Sequence, residues 1–117
     1  MRKARLKPEA RADIRDLLKR SRRIFGPRAK HEYKLLIDRA VDLLCTDPHR
    51  ASVQHRVDLR ATPYTFHVRH ARTRGAAPKQ ARHIIIFTYD DATLTILRVL
   101  HDSMDISERV GDEANDT

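Results

Sequence analysis

The side chains best suited to chemistry in this sequence are arginines and histidines. Arg69, Arg72, Arg74, Arg82 and Arg98 alternate with His67, His70, His83 and His101. Together they resemble the parts list for cleaving RNA in line. That reaction needs a base for the 2′-hydroxyl, an acid for the leaving oxygen and cations for the charge growing on phosphate. Cations are plentiful, whereas the acid–base pair is thin. His101 is the best candidate for it, with His67 or His83 as second, so a nuclease here would rest on His101, Arg98 and Arg82. The plainer role for His101 is a strand-end histidine bonded to backbone or to Asp105, and it is the stronger reading. Arg98 lies inside an apolar run, where its guanidinium needs a carboxylate; Asp102 and Asp105 are nearest in sequence.

Other reactive types read as structure. His67 and His70 are three apart, and on a strand that spacing points them to opposite faces, so they share no metal ion. No metal or cofactor is expected. Cys45 ends an apolar helical face and reads as packing, since nothing beside it lowers its pKa. The run Lys19-Arg20-Ser21-Arg22-Arg23 serves equally as a solvated helix face or as a docking patch for an acidic partner.

Around these residues the dominant element is a pair of apolar runs, Ile84 to Tyr89 and Leu94 to Leu100, joined at Asp90-Asp91. Their β-branched content and short polar link predict a β-hairpin. Apolar residues on both faces (Ile84 and Ile86, Ile85 and Phe87) place it centrally in a sheet. Upstream, residues 1–6 form a short basic edge strand. Pro8-Glu9 opens a helix whose stripe of Ala10, Ile14, Leu17 and Leu18 continues to Ile24 and Phe25. Gly26-Pro27 ends it and starts a second helix, with Ala29, Tyr33, Leu36, Ile37, Ala40, Leu43 and Leu44 on one face and a stop at Asp47-Pro48. So short a link makes the two an antiparallel hairpin.

Residues 49–56 read as loop, and Val57–Arg60 and Tyr64–His70 as alternating strands interrupted by Pro63. Residues 70–82 are a basic Gly/Pro loop. Asp105 caps a short helix through Val110. The acidic residues 111–117 have nothing to bury and are expected to be a disordered tail after a single domain spanning 1–110. The fold class is α+β: a strand, a helical hairpin on one sheet face, an antiparallel sheet, and a short last helix.

The 117 residues carry 24 basic and 16 acidic side chains, a net of +8. Residues 1–34 hold 13 basic against 4 acidic, and residues 83–117 hold 2 against 8. Such a split favours an interaction surface for an acidic partner on the N-terminal half. One cysteine excludes an internal disulfide, and no run reaches membrane-spanning length, which together predict a cytoplasmic protein. Plain nucleic-acid binding is a lesser reading, because most of the few aromatics are expected in the core and stacking platforms are scarce.

The element order, together with Leu97-Arg98-Val99-Leu100-His101-Asp102-Ser103-Met104-Asp105, resembles the ParE branch of the RelE/ParE superfamily of bacterial toxins. Pro8-Glu9-Ala10, Asp13-Ile14, Phe25-Gly26, Leu59-Arg60 and His83 to Phe87 support the likeness over residues 4–110. Lys7 departs from it, standing where such proteins often carry a Ser or Thr helix cap. The resemblance implies a type II toxin that poisons DNA gyrase and is silenced by an acidic, ParD-like antitoxin folding onto it. The RelE branch instead cuts messenger RNA on the ribosome, commonly with a Tyr or His near the C-terminus; after Asp102 this chain has neither. On this reading Arg69, Arg72, Arg74, Arg82, His101 and Asp105 face the target. Ile14, Leu17, Leu18, Arg20, Arg22, Arg23, Tyr33 and Leu36 meet the antitoxin, although the apolar members serve the core first.

Overall fold

A computed structural model describes residues 1–73, 75, 78 and 80–109. In chain order the elements are β1 (Lys3–Leu6), α1 (Pro8–Phe25), α2 (Pro27–Thr46), β2 (Gln54–His55), β3 (Tyr64–His67), a 3₁₀ turn (Val68–Ala71), β4 (His83–Tyr89) and β5 (Thr93–His101). Residues 106–109 add a helical turn. Arg74, Val110 and the tail 111–117 lie outside the described residues.

α1 starts where Pro8 makes the missing N–H harmless, and Glu9 favours its positive end. Lys7 supplies no side-chain cap. Gly26, at φ 96°, turns the chain in a region that disfavours any Cβ, and its N–H donates to Arg22 O at 2.9 Å. Pro27 begins α2 at once. Leu18, from the second half of α1, then meets Tyr33 and Ile37 of α2, with Ile14, Leu17 and Val41 alongside.

The sheet is five-stranded in the order β1-β5-β4-β3-β2. It is antiparallel except at β1, which runs parallel to β5. The expected central hairpin is β4–β5, its turn closed by Asp90, whose carboxylate accepts from Ala92 and Thr93 N–H at 2.9 and 2.8 Å. Ile85, Phe87, Ile96 and Val99 pack with Leu36, Ala40 and Leu44 of α2 in the main core. Ile86, Leu97 and Leu100 form a second cluster, against which Ile84 and Ile106 pack. Between them the register jumps from Ile86↔Arg98 to Phe87↔Ile96, so Leu97 is the extra residue of a bulge.

Three expectations are corrected. Ile24 and Phe25 do not continue the buried stripe: in the last turn of α1 they are 51% and 74% exposed, and neither joins a core cluster. Val57–Arg60 is not a strand. The chain turns there, with Ala61 and Thr62 at positive φ, and the edge strand is instead Gln54–His55, within the stretch expected to be loop. β3 stops at His67, where Val68–Ala71 coils into a 3₁₀ turn that shortens the basic loop.

Candidate interaction groove

β1 covers β5 only from Thr93 to Ile96. After Lys7 N–H donates to Ile96 O at 3.0 Å the chain leaves as α1, and the rest of the β5 margin meets that helix. Asp13 closes it. Its carboxylate accepts from Arg98 Nε and Nη2 at 2.7 and 2.9 Å and from the Val99 amide at 2.9 Å. Among the described residues the carboxylate that takes Arg98 is Asp13, in place of the expected Asp102 or Asp105; Ser107 occupies Asp105, donating from both N–H and Oγ. A planar fork set against a carboxylate gives this ion pair its geometry.

Beyond Asp13, α1 and β5 diverge and leave a groove of about 960 Å³. Leu17, Ile24, Phe25, Ala29 and Met104 give it apolar walls, while Arg20, Arg82, Arg98 and Arg109 give it cations. His83 and His101, register partners at the ends of β4 and β5, stand at its inner end.

A hydrogen-bonded network fixes the imidazoles. The Arg82 amide donates to Tyr33 Oη at 3.1 Å, and Tyr33 Oη lies 2.6 Å from His83 Nδ1. With its oxygen accepting from the Arg82 amide, the Tyr33 hydroxyl donates to His83 Nδ1, which leaves the ring proton of neutral His83 on Nε2. Burial first, and the neighbouring His101 second, push the His83 pKa down to about 4. Burial raises that of Tyr33. His67 Nδ1 accepts from the Arg69 amide at 3.1 Å, so Nε2 donates to Asp102 across 3.1 Å. That bond holds Asp102 below the usual carboxylate range. The Ser103 amide donates to His101 Nδ1 at 3.1 Å, with Ser103 Oγ at 2.7 Å. This matches the expected strand-end role for His101, with Ser103 as partner in place of Asp105. Among the described residues no group of three or more His, Cys, Asp or Glu is placed to hold a metal ion.

The groove gathers Leu17, Arg20 and Tyr33 from the residues expected to meet the antitoxin with Arg82 and His101 from those expected to meet the target. Leu18, Tyr33 and Leu36 are 8%, 8% and 5% exposed, so the chain's own core takes most of their surface. Ile14 is half-buried, while Arg22 and Arg23 project from the last turn of α1. Arg69, Arg72 and Asp105 are exposed but do not line the groove. Sequence reasoning missed Asp13 and the Tyr33 hydroxyl, each bonded across the fold to a residue remote in the chain.

Fold and groove define an α+β domain with an open cleft of mixed apolar and cationic lining. A family model described as the ParE toxin of type II toxin–antitoxin system, parDE, matches residues 4–106. The chain belongs to that family, which implies a cognate antitoxin as partner. No curated protein matches it. Among the described residues no helix is long and apolar enough to cross a membrane.

Proposed function

We propose that this toxin inhibits DNA gyrase by protein–protein contact and that a ParD-like antitoxin silences it by lying in the groove. The observation that carries the reading is the convergence on one surface of Leu17, Ile24 and Phe25 with Arg20, Arg82 and His101. An amphipathic acidic segment fits such a surface, its apolar side chains on the α1 wall and its carboxylates on the arginines. Filling the groove covers Arg82 and His101 directly, so neutralisation and loss of target contact are one event.

The competing reading is ribosome-dependent cleavage of messenger RNA. A two-histidine mechanism places the phosphate between base and acid. Here the His83 and His101 rings meet edge to face with centroids 5.4 Å apart, which leaves no such space, and the other second histidine, His67, has both ring nitrogens engaged, by Asp102 and by the Arg69 amide. Contact without chemistry is the better fit.

The test is DNA supercoiling by purified gyrase in the presence of the toxin. Inhibition is expected, with Arg82→Ala and the double variant Arg82→Ala/His101→Ala weakened about tenfold or more at unchanged circular dichroism. In cells, induction without antitoxin is expected to give filaments with damaged DNA. His101-dependent cutting of ribosome-bound transcripts, with supercoiling untouched, would overturn the proposal.

A further inference from the structure

At the opposite corner of the sheet, away from the groove, rings that the sequence pattern assigns to the core remain partly open. His55, Tyr64 and Phe87 face one another across adjacent strands, β2 to β3 to β4. Their rings stack in consequence: His55 on Tyr64 with centroids 4.2 Å apart and planes 11° apart, Tyr64 on Phe87 at 5.7 Å and 26°. The stack is anchored at fully buried Phe87 and opens outward through half-buried Tyr64 to exposed His55. His55 is held in place, since Nε2 donates to Thr62 O at 3.1 Å. One face of its ring lies on Tyr64, and the ring itself is exposed. Tyr89 extends the patch at 4.8 Å from Tyr64, with the Arg2 guanidinium 5.2 Å from its centroid. The segment carrying His55 also holds Arg50, Arg56 and Arg60 against the single acid Asp58, an excess of two positive charges; Arg56 is forked on Asp58 at 2.9 and 2.8 Å, and half-buried Arg50 donates to Leu43 O.

We propose that this corner binds single-stranded nucleic acid, with an unpaired base continuing the stack on His55 and phosphates meeting the arginines of residues 50–60. The chemistry selects the ligand. A nucleobase supplies a flat ring, and its chain supplies a negative charge at each step, so both halves of the patch are used together. A duplex offers the charge but keeps its bases stacked inside. An aromatic peptide offers the ring but lacks the regular charge. The site is separate from the groove and adds a contact with unpaired DNA or RNA to whatever protein the toxin grips.

The experiment is fluorescence anisotropy with the full chain and a labelled single-stranded DNA of about 15 nucleotides, beside the same sequence as duplex. The wild type is expected to prefer the single strand. His55→Ala, an exposed change that leaves every arginine in place, is expected to weaken it about tenfold. His55→Trp restores binding. Because the chain has no tryptophan of its own, the emission of that residue reports stacking directly by quenching as the oligonucleotide saturates. Wild-type affinity in His55→Ala, equal affinity for duplex, or unquenched emission in His55→Trp would each overturn the proposal. Circular dichroism confirms that both variants are folded.

Discussion

Tyr33 holds two elements together with a single oxygen. Its ring packs on Leu18 and Ile37 while its hydroxyl accepts from the Arg82 amide and donates to His83. Tyr33→Phe keeps the ring and strips the bond from two partners, at a cost of roughly 1–3 kcal/mol. Burial sets most of the His83 shift to about 4, and because the hydroxyl donates to the neutral ring, its removal is expected to raise the His83 pKa from there. Ring-proton NMR titration reads that shift directly, and an unmoved titration would refute the assignment of the proton. His83 also sets a pH dependence. Its folded pKa lies below the ordinary 6.5, so the unfolded chain takes up the proton first as acid is added. Stability is therefore undiminished by this group above about 6.5 and falls as pH drops toward about 4, by up to about 3 kcal/mol. Urea midpoints taken across that window check it.

Among the elements, β1 is too short to cover β5, and α1 supplies what is missing through Asp13. Asp13→Ala withdraws acceptors from Arg98 and from the Val99 amide at one stroke, at a cost of about 3 kcal/mol. Asp13→Asn retains an oxygen for the amide and is expected to cost less. Equal losses for the two in denaturant titrations would mean that the charge alone matters. This contact was not legible in the sequence, because Asp13 and Arg98 are 85 positions apart whereas Asp102 and Asp105 are close by. By contrast, the β4–β5 hairpin and both helices were legible, since β-branched runs, Pro8 and the Gly26-Pro27 junction are local signals. Val57–Arg60 misled for the same reason: Val57 and Leu59 alternate as a strand does. The positive φ at Ala61 and Thr62, which bends that stretch, belongs to residues with no preference for it.

For the whole molecule, the main consequence is that, among the described residues, three of the six large apolar side chains left exposed, Ile24, Phe25 and Met104, share one groove. Ile24 and Phe25 look like core in a helical periodicity plot, yet they form a wall of the groove. A stripe that is read from sequence shows which side of a helix is apolar, without showing where the rest of the fold stops covering it. The double variant Ile24→Ser/Phe25→Ser is expected to leave unfolding free energy within about 0.5 kcal/mol of wild type. It should also weaken antitoxin binding at least tenfold by calorimetry, roughly 1.4 kcal/mol. A stable variant that still binds the antitoxin at full strength would place the antitoxin elsewhere. The aromatic corner misled in the opposite direction: most of the aromatics are expected in the core, and the sheet leaves Tyr64 and Tyr89 partly open.

The surplus residue at Leu97 gives β5 a tolerance that few inner strands possess. With Arg98 opposite Ile86 and Ile96 opposite Phe87, the flanking pairs are those that a ladder without Leu97 would also make. The strand therefore carries one position of slack. Shortening it there sacrifices a side chain of the smaller cluster while each remaining neighbour keeps its partner, whereas the same cut at Arg98 draws Leu97 into its place and forfeits the bonds to Asp13.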